Sequence, residues 1–414
     1  MRILVMGAGV VGVTTAWQLA KDGHEVVVVE RHAEAADDTS FGNAGAIAPG
    51  HAYAWSSPKA PMTLLRSLWR DDQALRFRFS LDPKLWSWSL AFLRECSAER
   101  YRRNTQTKHR LCTYSKAVLG EVVDETGIEY DRVRGGILYV YRDRSSFEQR
   151  IREMQILTSL GEDLRELDPE QVVATEPALA AARHRIAGAI HAAGDETGDC
   201  RKFTQALAAR CVERGVVFHY ETTVQRLEVT GDRVECVRTD RGEMRADAHV
   251  VALGYESPRL CGPLGIRLPI YPVKGYSVTL PIGERHAPPA LNGIDENNLC
   301  AFTRMGERLR VTATAEFAGY DKSYRASDFT HMLGAIRDLL PEAADYSSPE
   351  YWAGLRPMTP DNCPFIGRGI HHNLYLNTGH GHIGWTMSNG SARIVADLIA
   401  GRAPAIDMSG LGMR

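Results

Sequence analysis

Residues 2–30 constrain this chain more tightly than any other stretch. Arg2-Ile-Leu-Val-Met6 runs into Gly7-Ala8-Gly9-Val10-Val11-Gly12, an apolar segment reaches Asp22, and Gly23-His-Glu-Val-Val-Val-Val-Glu30 follows. The periodicity predicts strand, tight turn, helix, strand. Gly7 allows the sharp turn, Gly9 keeps the backbone open to a pyrophosphate, and Gly12 lets the helix pack closely on the strand. The first amides of such a helix lack partners and carry its positive dipole end, so a diphosphate is stabilised there. Glu30 stands about 20 residues past the glycines, where a carboxylate accepts from ribose hydroxyls. An adenine dinucleotide site follows, and at this point NAD and FAD fit equally well.

A chain of 414 residues has room for two or three domains, and 44% hydrophobic content suits large buried cores. A net charge of −2, with no basic stripe interleaved with aromatics, gives no attraction for nucleic acid. The eight cysteines are scattered without a Cys-x-x-Cys pair, which argues for reduced thiols of a cytoplasmic protein and against a disulfide framework or zinc site. No His/Cys/Asp/Glu grouping has metal-site spacing. No apolar run is long enough to cross a bilayer, and the apolar N-terminus reads as a retained nucleotide unit, not a signal sequence.

Further along, Thr39–Ile47 is small and hydroxylic, with Ser40 and Asn43 placed to bond a ligand, or else a surface turn. His51–Pro58 is an aromatic loop that could lie over a pocket. Met62–Phe79 mixes Leu64, Leu65, Leu68 and Trp69 with Arg66, Arg70, Arg76 and Arg78, a pattern shared by membrane-surface helices and solvated helix faces. Asp82-Pro83 starts a helix in which Trp86, Leu90 and Leu93 recur at helical spacing. Helices are expected at 114–126 and 145–160, with a strand at 136–141 between them. Asp199 caps a helix over 203–214, and the strands at 215–220, 223–229 and 248–254 alternate with helices as in a mostly parallel sheet. A second set of strands opens at Pro269, and a helix spans 328–340.

Several motifs in order then carry a resemblance: Asn43-Ala44-Gly45, Asp195-Glu-Thr-Gly-Asp199-Cys, Tyr271-Pro-Val-Lys-Gly-Tyr276-Ser, Gly354-Leu-Arg-Pro-Met-Thr-Pro-Asp361, and Thr378-Gly-His-Gly381 before Gly384-Trp-Thr-Met387. Over nearly its whole length the chain resembles the bacterial D-amino-acid dehydrogenases of the D-amino-acid oxidase and glycine oxidase superfamily. The resemblance implies an α/β chain (α+β overall) with a Rossmann-like FAD-binding domain of residues 1–80, 194–265 and 350–414. An inserted antiparallel-sheet substrate domain would comprise 81–193 and 266–349. It implies FAD in place of NAD. The ADP half would lie on Gly7, Ala8, Gly9, Val10, Val11, Gly12, Glu30 and Arg31, with Val224 near the adenine. Ser40, Asn43, Ala44, Gly45 and Gly254 would line the route to the flavin. Gly379, His380, Gly381, Gly384, Trp385 and Thr386 would close over its pyrimidine end. Relatives with covalent flavin carry a cysteine at the position of Gly354, so dissociable FAD is expected. The chain departs from the family's pattern at Thr312-Ala313, where relatives often have paired glycines, and at His382.

The implied reaction is oxidation of a D-amino acid by hydride transfer from Cα to FAD, followed by hydrolysis to a 2-oxo acid and ammonia. Electrons would pass to a quinone or respiratory-chain acceptor, with a peripheral contact to the inner face of the membrane. A carboxylate substrate calls for a fixed guanidinium fork, and Arg356 is the candidate. Tyr276 and Tyr53 are candidate phenols for the same carboxylate or for closing the pocket. His51, His380 and His382 are candidate bases, though an amine that arrives deprotonated needs none. Two alternatives stay open: a related flavin amine oxidoreductase acting on glycine, sarcosine, D-proline or hydroxyproline, and a non-catalytic flavin-binding subunit.

Overall fold

In the computed structural model, which describes residues 1–67, 75–77 and 81–414, the opening segment forms strand Arg2–Met6, helix Val10–Lys21 and strand Glu25–Val29. Arg2–Met6 pairs in parallel with Glu25–Val29 on one side and Ala248–Val251 on the other. Val217–His219 and Leu374–Thr378 extend the same sheet in parallel, and Phe365–Arg368 closes one edge antiparallel. Both faces are covered, which is why its strands are apolar without alternation. Trp17, Phe203, Trp385 and Ile394 belong to the core on one face, and Leu4, Val27, Leu260 and Leu376 to that on the other.

The expected strand over 223–229 exists as Val224–Thr230, but it does not join this sheet. It pairs antiparallel with Arg233–Thr239, which pairs with Gly242–Met244, in a separate three-stranded sheet. Its exposed, polar residues need only one covered face, so a local hairpin satisfies it.

Among the described residues the second large sheet has nine strands, built around Tyr271–Pro281 between Glu350–Met358 and Arg308–Phe317. It is largely antiparallel, with parallel pairing of Asn292–Asp295 to Ile137–Tyr141 and of Arg308–Phe317 to Leu75–Phe77. Strand Glu350–Met358 therefore runs along this sheet although the segment after it returns to the nucleotide-binding sheet.

Two helix expectations are extended or redirected. The helix expected at 114–126 is the end of a 29-residue helix, Ala98–Thr126, capped by Ser97 and closed by Gly127 at φ +63°. Its first turns are polar and arginine-rich, which masks the helix in sequence. In Pro83–Glu95 the buried stripe is Leu85, Trp88 and Phe92, whereas Trp86, Leu90 and Leu93 face outward. Two apolar stripes at helical spacing share this helix, and only packing against Tyr271 and Phe317 selects the inner one. Of the Met62–Phe79 segment, helix Ala60–Ser67 and strand Leu75–Phe77 are described; Leu68, Trp69, Arg70 and Arg78 lie outside the described residues. Arg76 points inward, donating to the Asp328 carbonyl over the Tyr276 ring.

Candidate functional site

One cavity of about 1190 Å³ runs from the glycine turn to the large sheet. At one end lie Gly7, Gly9, Val10, Val11, Glu30, Arg31 and Val224; at the other lie Tyr53, Tyr276, Gly354, Arg356 and His382.

The glycine turn is built as the spacing requires. Gly7 has φ +105°, and a Cβ at Gly12 would stand 1.8 Å from the Gly7 carbonyl oxygen, so helix and strand touch there. Gly9 caps helix Val10–Lys21 without a side-chain hydrogen bond. Val10 N–H donates to Ser40 Oγ at 3.1 Å. Glu30 spans the turn: Oε2 accepts from Ala8 N–H at 2.7 Å and Oε1 from His32 N–H at 3.0 Å. Arg31 is committed to Asp38 and to the Tyr255 hydroxyl. Burial pushes the Asp38 carboxyl up, but His32, Lys322 and the Tyr255 hydroxyl together hold it far below its usual range.

Asn43 Oδ1 accepts from Gly45 N–H at 2.7 Å, and Thr303 donates to the Ala44 carbonyl at 2.7 Å, so this loop bridges the two sheets. Gly254, at φ +53°, accepts from Thr378 Oγ1 at 3.1 Å. Gly379 and Gly381 have φ of +79° and +61°, values that turn the chain into helix Gly384–Ile399. That helix also begins without a side-chain cap, at Ile383, and Gly384 faces the cavity. Thr386 Oγ1 accepts from Ala48 N–H and donates to the Ala46 carbonyl, both at 3.2 Å, tying helix to loop. Trp385 sits in the core between Tyr130 and Phe203. The cavity is thus flanked by two helix starts whose N-cap residues, Gly9 and Ile383, give no side-chain cap hydrogen bond among the described residues, suited to an anionic diphosphate at one and to the electron-rich edge of a flavin at the other. The residues present fit FAD.

Gly354 lies under the Trp352 indole, and a Cβ there would fall 2.0 Å from the ring. A cysteine would require that ring to move.

Arg356 occupies the large sheet's face of the cavity. Nη1 donates to the Thr314 carbonyl at 2.8 Å and more weakly to that of Lys274 at 3.4 Å. Thr314 has φ +65°, unusual for a β-branched residue. The guanidinium lies flat over Gly275, where a Cβ would come within 2.4 Å of Arg356 Cζ. Among the described residues no carboxylate pairs with Arg356, and burial alone pulls its pKa down to about 10. The internal ion pair that would make this arginine structural is absent among those residues.

Tyr276 is buried, edge-on to Phe329, and its hydroxyl donates to Glu316. Tyr53 lies at 6% exposure, so its loop is a buried wall of the cavity. Among the described residues the Tyr53 hydroxyl has no partner at hydrogen-bond geometry, and the Arg150 guanidinium lies 4.4 Å from the ring centroid. His51 stacks on Tyr139 at 4.5 Å, with Nε2 2.8 Å from Glu296 Oε1. His380 bonds Ser391 in the helix at 2.9 Å, and burial lowers its pKa to about 3, so it is a neutral structural contact. His382 stacks on Trp55 at 4.6 Å, with Nε2 3.3 Å from Lys108 Nζ. Sequence reasoning missed Gly275 and Lys108. The glycine matters only because a neighbouring strand lays an arginine across it, and the lysine sits in a run of basic residues that reads as a solvated face.

Among the described residues no His/Cys/Asp/Glu group could hold a metal, all eight cysteines are free and buried, and no helix is long and apolar enough to cross a membrane.

The family model described as DAO, FAD dependent oxidoreductase, matches residues 2–398. The chain is 46% identical over 412 residues to D-amino acid dehydrogenase 2 of Mesorhizobium japonicum, covering 99% of each. It is equally 46% identical over 416 residues to D-amino acid dehydrogenase of Paramagnetospirillum magneticum, covering 100% of this chain and 98% of that one. Glycine oxidase from Geobacillus kaustophilus shares the fold, with a TM-score of 0.76 at 23% identity over 100% of this chain and 98% of that one. A match of this extent, on a cavity shaped for an extended dinucleotide, places the chain in the DAO family of FAD-dependent oxidoreductases.

Proposed function

We propose that this enzyme oxidises D-amino acids to 2-oxo acids and ammonia. The observation that carries the reading is Arg356: a buried guanidinium without a carboxylate partner among the described residues, facing the cavity that holds the dinucleotide site. A buried unpaired cation is costly, and a substrate carboxylate offsets that cost while its two oxygens fit the fork. FAD, when bound, supplies the two-electron acceptor for the substrate Cα–H. The chain's own residues bind and orient. Arg356 holds the carboxylate, Gly275 and the Thr314 carbonyl hold Arg356, and the Tyr53 wall shields the reacting carbon from water. The hand of the substrate follows the relatives named D-amino acid dehydrogenase.

FAD is held without a covalent bond: Gly354 offers no thiol, and Trp352 fills the space beside it. Acid precipitation releases all of the yellow colour if this is right. The acceptor is a quinone or respiratory-chain component reached at a membrane surface. The cavity passes beneath helices Ala60–Ser67 and Pro83–Glu95, lined by Leu64, Trp88 and Phe92. The outer faces of those helices expose Met62, Leu65, Trp86, Leu90 and Leu93. On this reading the body comprises 1–80, 194–265 and 350–414 and the cap 81–193 and 266–349, with strand Glu350–Met358 carrying Arg356 into the cap sheet.

Anaerobic mixing with amino acids of both hands tests the reading: D-amino acids should bleach the flavin and L-amino acids should not. The fold shared with glycine oxidase favours the sibling reading of an enzyme for glycine, sarcosine, D-proline or hydroxyproline. Bleaching by those alone, with peroxide formed under air, would establish it instead. No bleaching by any amine would sink both.

A further inference from the structure

Lys108 is the second buried cation of this region that finds no acid. It is 1% exposed, in the middle of helix Ala98–Thr126, and among the described residues no carboxylate pairs with it. Its Nζ donates to the Tyr53 carbonyl at 2.8 Å and meets His382 Nε2 at 3.3 Å. An ammonium has donors only, so Nε2 must be the acceptor and the imidazole proton must sit on Nδ1. His382 Nδ1 is buried and, among the described residues, has no hydrogen-bond partner. The ring lines the same cavity as Arg356, and burial first, then the charges of Lys108, His51 and Arg356, keep the imidazole neutral.

We propose that Lys108 and His382 form the second arm of a carboxylate clamp. Lys108, from behind, fixes His382 as the Nδ1–H tautomer, and that N–H is a donor for the carboxylate that Arg356 binds. His382 touches the substrate; Lys108 is a positioning residue that also lends its charge through the ring. Two buried cations, one of them held behind a neutral imidazole that lines the cavity, make a site for one anion, and each is less costly with the anion in place. The proposal rests on the reading that the substrate carries a carboxylate beside the reacting carbon.

The arrangement carries its own pH dependence. Burial pulls Lys108 down to about 8. The titratable groups around the couple are Cys112 on the same helix, Cys363, His51, Arg356 and, beyond Cys112, Asp195 and Glu162. Burial holds both cysteines up at about 12, so they stay neutral as Lys108 loses its proton. Anion affinity should therefore fall as pH rises through about 8.

The test uses the holoenzyme and two unreactive probes of one shape, butanoate and butanamide, with affinity read from the shift in flavin absorbance. In wild type, butanoate should bind at least tenfold more weakly at pH 9.5 than at pH 7 (roughly, given one cation lost), while butanamide stays level. Lys108→Met should weaken butanoate about tenfold or more and leave butanamide within about twofold. His382→Asn, which keeps an N–H near the Nδ1 position, should retain more butanoate affinity than His382→Leu. Nitrogen-15 spectra of the histidines should show His382 protonated on Nδ1, with that preference lost in Lys108→Met. Equal weakening of both probes, or a wild-type His382 protonated on Nε2, overturns the clamp. If butanoate behaves as stated but no amino acid bleaches the flavin, the clamp stands and the proposed reaction falls.

Discussion

The charge of Arg356 and its position make separate contributions. Arg356→Lys keeps the charge and loses the planar fork, so KM for a D-amino acid should rise roughly 10²-fold, about 3 kcal/mol, with a smaller change in kcat. An unchanged KM would remove Arg356 from the site. Gly275→Ala tests position alone. The new methyl would stand 2.4 Å from Arg356 Cζ, the mobile end of a long side chain, so the backbone can stay while the guanidinium shifts. KM should rise roughly tenfold with little change in melting temperature. A drop in melting temperature with KM intact would show that the glycine serves the sheet and not the arginine. The motif that carries Arg356 to the cavity wall was visible in the sequence. The role of Gly275 was not, because it depends on a strand 81 residues away whose register sets Lys274 against Leu355 and Val273 against Arg356.

At the scale of elements, the glycine turn works through contact between helix Val10–Lys21 and the strand before it. A methyl at Gly12 would lie 1.8 Å from the Gly7 carbonyl oxygen, a rigid backbone atom. Gly12→Ala should therefore destabilise the fold by roughly 3 kcal/mol or more and yield a protein depleted of flavin, measured by melting temperature and the ratio of visible to ultraviolet absorbance. Full flavin with an unchanged melting temperature would refute the close contact. Helix Ala98–Thr126 shows the limit of reading elements locally. Its Leu111, Cys112, Val118, Leu119 and Val122 are buried, while its first turns are arginine-rich and largely solvated, and only the C-terminal half carries a visible apolar stripe. Lys108 belongs to the buried face because the Tyr53 wall and His382 close over it.

For the whole molecule, Asp195 ties stability to pH. It is fully buried, accepting from Gly50 N–H at 2.8 Å and from the Tyr139 hydroxyl at 2.8 Å, and burial raises its pKa to about 7. Between its unfolded value of about 4 and this raised value, the folded protein keeps a proton that the unfolded chain has lost. Its contribution to stability is complete below the lower value, falls as pH rises through the window, and is level above about 7. The loss is on the order of 4 kcal/mol. Asp195→Asn, neutral throughout, should gain on wild type in denaturant midpoint from pH 4 to 7; a pH-independent difference would show that Asp195 is ionised in the fold. On the same scale, Trp86→Ser with Leu90→Ser should reduce sedimentation with anionic lipid vesicles without altering anaerobic flavin reduction. Equal sedimentation would remove that face from any membrane contact.

Local rules were enough for the nucleotide unit, because strand, turn and helix interact within thirty residues and each glycine answers to its immediate neighbours. The caps at Asp82 and Asp199 were readable for the same reason, whereas the motif around Arg356 was read through its resemblance to a family. Tertiary structure alone decided which stripe of Pro83–Glu95 faces inward, that Val224–Thr230 leaves the parallel sheet, and that Tyr276 turns its hydroxyl to Glu316. It also brought Lys108 behind His382, across 274 residues of chain. Burial and long-range register are properties of the assembled core, and a side chain's pattern along the chain does not encode what will close over it.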